Sequence, residues 1–129
     1  MSINYKKVKQ IIKDQNGNEK EIYYARACQR QRVKLDKLAE RIASYCTLSS
    51  VDVKSVLIAL TDTIPDYLLD NKSVELGDLG TISLHFTSES TESEDEVTWR
   101  SIKDMRVQFR AGKRIKKQLK QVNFKLVEE

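Results

Sequence analysis

Two stretches near the start of the chain, residues 3–12 and 20–27, are rich in β-branched and aromatic residues. Asp14-Gln15-Asn16-Gly17-Asn18 lies between them. Asn-Gly is the favoured pair of a type I′ turn because both residues tolerate positive φ, so the pattern predicts a β-hairpin over residues 3–28. The alternation changes parity between Tyr5 and Val8, which predicts a bulge or an irregular edge there. Residues 29–34 are polar and read as a linker.

The hydrophobic period then lengthens. Leu35, Leu38, Ala39, Ile42, Ala43 and Cys46 form one helical stripe and predict a helix over 35–46. Ser49 and Asp52 have the spacing of a capping box, with Asp in place of Glu, and open a second helix over 49–70. Val53, Val56, Leu57, Leu60, Ile64 and Leu68 give that helix a face for burial. Pro65 falls inside the pattern. It removes one hydrogen bond and crowds the preceding turn, so a kink near Thr61 is expected rather than an end. Asn71 suits the left-handed position that closes a helix.

Period two returns afterwards. Residues 74–76 and 81–86 read as short strands around Gly77-Asp78-Leu79-Gly80. Residues 87–96 form a polar, acidic tip. Residues 97–109 are again β-rich, with Val97, Trp99, Met105, Val107 and Phe109 on one parity. Gly112 breaks the strand, Ile115 and Leu119 mark a short basic helix, and residues 122–127 read as a last strand. There is no internal repeat.

Charge is unevenly spread over the 129 residues, whose net charge is +4. Residues 1–34 carry nine Lys/Arg against three Asp/Glu, and residues 97–129 carry ten against three. The middle is acidic, and residues 87–96 hold five carboxylates and no basic group. Basic ends permit nucleic-acid binding. Two cysteines, Cys28 and Cys46, make no disulfide framework or Cys-x-x-Cys zinc pattern. Lys6, Lys7, Lys9 and Lys13 interrupt the N-terminal region, so no signal-peptide core is expected, and no apolar run is long enough to span a bilayer. The expected location is cytoplasmic, with both thiols reduced.

Three segments carry a family resemblance. "LDKLAERIASYCTLSSVDVKSVLIAL", "SVELGDLGTISL" and "VQFRAGKRIKKQL" resemble, in order and spacing, the two-helix opening, the glycine turn with its strand, and the entry to the last helix of the HU and integration-host-factor proteins. Leu79 and Ile82 stand where that family usually has aromatics, while Phe109, Gly112 and Lys113 match. The likeness covers roughly residues 33–122. Tyr23, Tyr24 and Ala25 resemble the "YYA" of a divergent branch with an N-terminal β-hairpin extension.

The resemblance implies an α+β intertwined dimer: two N-terminal helices, a three-stranded sheet with an extended arm, and a short C-terminal helix, preceded here by the hairpin. The domains expected are 1–32, hairpin extension and linker, and 33–129, the DNA-binding domain with its arm at about 83–108. In the family a proline near each arm tip wedges into the minor groove. The only proline here is Pro65, and the tip "TSESTESEDE" is acidic.

Lys113, Arg114, Lys116, Lys117 and Lys120 crowd the last helix, where the family touches DNA; alone, such a row is a solvated helix face. Arg100, Arg106 and Arg110 share a strand face by parity, with Lys103 on the other, and either follow the DNA backbone or simply face solvent. Trp99 either replaces the proline wedge or packs across the arm on His85 or Phe86. The acidic tip lacks the spacing of a calcium loop and reads as flexible and solvated. His85, the single histidine, has no oriented carboxylate or nucleophile beside it in sequence. No catalytic residue, cofactor or metal site, membrane contact or small-molecule substrate is expected.

The leading expectation is a histone-like, largely sequence-non-specific protein of the nucleoid that binds double-stranded DNA as a homodimer. The alternative is an HU-fold protein-interaction or structural module with weak or lost DNA binding.

Overall fold

The computed structural model of the chain describes residues 1–128. In chain order the elements are β1 (Ile3–Lys13), β2 (Glu19–Ala27), α1 (Leu35–Ala43), α2 (Ser50–Leu69), β3 (Val74–Glu75), β4 (Gly80–Ser88), β5 (Ile102–Ala111), α3 (Lys113–Leu119) and β6 (Phe124–Leu126), with short 3-10 turns at Gly77–Leu79, Glu94–Glu96 and Trp99–Ser101. By internal contacts the chain divides into two units. One is Met1–Val33 with the segment from Gln118 onward; the other is Lys34–Lys117. The hairpin is thus completed by the end of the chain, a partner that the expected 1–32 boundary did not include.

The first unit is a sheet of order β2-β1-β6. β1 and β2 are antiparallel in unbroken register, from Tyr5 opposite Ala27 to Lys13 opposite Glu19. The bulge expected between Tyr5 and Val8 does not form; the parity change puts apolar residues on both faces instead. The turn also differs from expectation. Asp14 N–H donates to the Asn18 carbonyl (2.9 Å) and Gly17 N–H to the Asp14 carbonyl (3.1 Å). Gly17 has φ +79° and Asn16 lacks a positive φ, so this is a three-residue loop with a left-handed glycine rather than type I′. The Asp14 carboxylate decides it, accepting from the backbone N–H of Asn16 and of Asn18 (2.9 Å each). β6 lies parallel to β1, with Ile3 opposite Phe124 and Tyr5 opposite Leu126.

In the second unit α1 packs on α2. α1 stops at Ala43, short of Cys46, because the following N–H groups turn to i−3 acceptors: Tyr45 donates to the Ile42 carbonyl (2.9 Å) and Cys46 to that of Ala43 (3.4 Å). α2 is capped by Ser49, whose hydroxyl accepts from Asp52 N–H (3.2 Å), and runs unbroken through Pro65. It closes as the sequence requires. Asn71 takes φ +58°, and Lys72 N–H donates to the Tyr67 carbonyl (3.2 Å). An ion pair between Lys54 and Asp36 ties the two helices.

Burial departs from the sequence pattern. Ala39, Val53 and Leu68 are the buried apolar residues, whereas Val56 is 60% and Leu60 36% exposed. The chain exposes 11909 Å². A compact monomer of this mass exposes about 7,000 Å², and roughly 8,400 Å² if the two units are counted as separate bodies. The helical stripe is real, but one chain does not cover it.

The sheet of this unit has the order β3-β4-β5. Gly80 and Gly112 let its turn close. A Cβ on Gly80 would meet the Arg110 carbonyl and the Phe109 ring, and one on Gly112 would collide with the Asp78 backbone. Gly112 N–H donates to the Leu79 carbonyl (2.9 Å), fastening the 3-10 turn to the end of β5. No helix among the described residues is long and apolar enough to cross a membrane.

Candidate nucleic-acid interface

β4 and β5 form the arm. Their register sets Ile82 against Phe109 and Leu84 against Val107 on one face, and Thr81 against Arg110, Ser83 against Gln108 and His85 against Arg106 on the other. One side of the ribbon is therefore apolar, and the other carries cations and hydrogen-bond donors. A shift in register between His85 and Thr87 marks a bulge, where Asp104 takes φ +54°. Two residues of β5 then oppose one of β4, which resets the alternation.

That bulge corrects the expected placement of the arm cations. Lys103 pairs with Thr87, so it shares the face of Arg106 and Arg110 instead of lying opposite them. The Thr87 hydroxyl donates toward the Lys103 carbonyl (3.2 Å) and the Asp104 carboxylate (3.1 Å), holding the bulge. Asp104 was the available signal, since Asp tolerates left-handed backbone better than most residues. Arg100 leaves the row: it lies in the 3-10 turn before β5, with its guanidinium 5.4 Å from the centre of the Trp99 ring. β5 begins only at Ile102, so Val97 and Trp99 belong to the tip and not to a strand.

On the polar face a hollow of about 280 Å³ is lined by Ser73, Thr81, Ser83, His85, Gln108 and Arg110. The Ser83 hydroxyl lies 3.0 Å from His85 Nε2. This set supplies a cation and several neutral donors but no acid–base pair aimed at a substrate. Glu75, opposite Thr81, is the carboxylate that β3 adds to this face.

The tip has defined local structure. Glu89 N–H donates to the Ser101 carbonyl (2.8 Å), and Lys103 forms an ion pair with Glu89. Thr98 and Ser101 cap the Trp99–Ser101 turn reciprocally, and Ser101 is buried. Trp99 is 75% exposed, so it does not pack across the arm on His85 or Phe86. Among the described residues no group of three His, Cys, Asp or Glu side chains is arranged to hold a metal ion.

α3 follows directly from Gly112. Lys113, Arg114, Lys116 and Lys117 are exposed on it, Ile115 is half-buried, and Lys120 comes just after its end. At helical spacing Lys113, Lys116 and Lys117 share one stripe of α3, with Arg114 beside it. Lys113 to Lys117 belong to the same unit as the arm, and Lys120 falls in the other. The structure thus groups Lys103, Arg106 and Arg110 on one ribbon face and five basic residues along one short segment.

A family model described as "HU domain fused to wHTH, Ig, or Glycine-rich motif" matches residues 1–126. No curated protein matches the chain. Among solved structures, one described as a "Putative bacterial DNA binding protein" from Bacteroides vulgatus superposes with a TM-score of 0.65 at 10% sequence identity. The match covers 99% of this chain and 49% of that one, so the chain spans about half the length of its structural neighbour.

Proposed function

Because the chain belongs to the family of HU domains fused to wHTH, Ig or glycine-rich motifs, we propose that it binds duplex DNA through the phosphate backbone, as a dimer with a second copy of itself. The observation that carries this reading is the two-faced arm. Arg106 and Arg110 line up with Thr81, Ser83 and Gln108 on one side, with Lys103, paired to Glu89, beyond them, while Ile82, Leu84, Val107 and Phe109 take the other. Cations and neutral donors at strand spacing suit phosphate and sugar oxygens, which position a duplex without reading its sequence. The exposed basic run of α3 extends the same chemistry.

What a single chain leaves uncovered supports the dimer. Val107 is 63% exposed, Met105 58%, Phe86 53% and Phe109 50%, in addition to Val56 and Leu60 on α2. A second copy that intertwines its arm sheet and helices with these surfaces would complete the core. In that arrangement the polar arm faces and α3 remain available to DNA, which fits a histone-like role on bulk DNA.

The test is a mobility-shift titration on unrelated duplexes at several salt concentrations. Changing Lys113, Arg114, Lys116 and Lys117 to Glu is expected to weaken binding to every sequence alike and to flatten the salt dependence. Unchanged affinity would sink the assignment. The folded acidic tip favours a second reading, an interaction module that kept the fold without the DNA contact. That reading expects no duplex binding by the unaltered chain even at low salt.

A further inference from the structure

The hairpin unit sorts its charge by face. Strand alternation and the observed register place Asn4, Lys6, Val8, Gln10 and Ile12 of β1, Lys20, Ile22, Tyr24 and Arg26 of β2, and Lys125 of β6 on one side of the sheet. The other side holds Ile3, Tyr5, Lys7, Lys9, Ile11 and Lys13 with Glu19, Glu21, Tyr23, Ala25, Ala27, Phe124 and Leu126. Both strand carboxylates, Glu19 and Glu21, therefore fall on the second side, where Glu21 is paired with Lys9 (2.8 Å) and accepts from the Tyr23 hydroxyl (3.3 Å). The three strands put no carboxylate on the first side.

Lys20, Arg26 and Lys125 are exposed on this carboxylate-free side. Lys6 also lies there, opposite Arg26, and is engaged in a contact of its own. Arg26 additionally borders a hollow on the other face, since β2 is the open edge of the sheet. From Lys20 to Arg26 the strand runs about 20 Å. A ribbon that carries cations at both ends and neutral groups between, with no carboxylate contributed by its three strands, is suited to an extended polyanion. It offers no enclosed cavity for a small one.

We propose that this face of the hairpin unit is a second contact for the duplex backbone, with Lys20, Arg26 and Lys125 each meeting a phosphate. It rests on the DNA-binding reading above and enlarges the footprint beyond the arm and α3. Each phosphate neutralised adds about 0.9 to the slope of log affinity against log salt, with no sequence preference.

The experiment compares the full chain with a variant carrying Lys20→Gln, Arg26→Gln and Lys125→Gln, by titrating random-sequence duplex over a range of salt. The expected result is weaker binding with the salt slope reduced by about 2.7 for each chain of the dimer that engages the duplex, and an unaltered circular-dichroism spectrum and thermal midpoint. An unchanged slope in a folded variant, with the parent still binding, overturns this proposal and leaves the arm and α3 assignment standing. Binding by neither protein at low salt overturns both. If the triple variant unfolds, the single Lys20→Gln variant, near the solvent-exposed turn, decides by a slope change of about 0.9 per engaged chain or none.

Discussion

Gly112 shows how much one backbone position controls here. Its N–H donates to the Leu79 carbonyl, and its missing Cβ leaves room for the Asp78 backbone. The same residue ends β5 and opens α3, so the arm cations and the α3 cations are joined at it. Gly112→Ala is expected to destabilise the fold by about 1–3 kcal/mol, the usual range for a forced overlap, as read by denaturant unfolding with the slope of the transition unchanged. At Ser49 the hydroxyl caps α2 by accepting from Asp52 N–H. Ser49→Ala should cost about 1 kcal/mol in the same measurement, and Ser49→Asp should recover most of it.

The arm is the element whose character differs most from its sequence pattern. Its tip is solvated as expected, but it also carries a 3-10 turn at Glu94–Glu96 and an ion pair to β5, and a second, reciprocally capped turn leads into β5. Glu92, Glu94, Asp95 and Glu96 still stand together at its end, with Lys103 committed to Glu89. Approaching phosphate, each carboxylate meets like charge at about 1 kcal/mol at 4 Å even in water. Converting Glu92, Glu94 and Glu96 to Gln and Asp95 to Asn, with Glu89 kept for its ion pair, is expected to tighten duplex binding. The gain should be about fivefold or more at low salt and shrink as screening rises. Affinity that fell or stayed level in a titration at 50 mM salt would show that the tip does not oppose DNA.

For the molecule as a whole, exposed apolar area is the governing quantity. Three buried apolar side chains make a small core for a unit with two helices and a sheet, and the exposed apolar surface is what the proposed dimer would cover. Leu60 is the most direct probe. At 36% exposure on α2 it is not needed to close the single chain, yet it lies on the helix stripe that the dimer would bury. Leu60→Asp puts an unpaired charge in that interface. Light scattering at micromolar concentration should then report monomer mass for the variant against dimer mass for the parent, with a much lower thermal midpoint. A dimeric Leu60→Asp protein would place the interface elsewhere.

The local grammar of this chain is readable without coordinates. Helical spacing from Leu35 to Leu68, Ser49 before Asp52, Asn71 after the last apolar turn, and glycines flanking Asp78-Leu79 each act over a few residues, so their outcome depends on neighbours in sequence. The basic run of α3 is legible for the same reason. What the tertiary structure decided involves pairing between distant segments. A left-handed Asp104 shifts the register against β4 and brings Lys103 to the side of Arg106 and Arg110, which no parity count along one strand can reveal. β6 completes the sheet begun by β1, joining the two ends of the sequence through backbone hydrogen bonds that carry little side-chain signature. Burial belongs to the same class: an apolar stripe states that a face must be covered, and only the assembled surfaces show that one chain leaves it open.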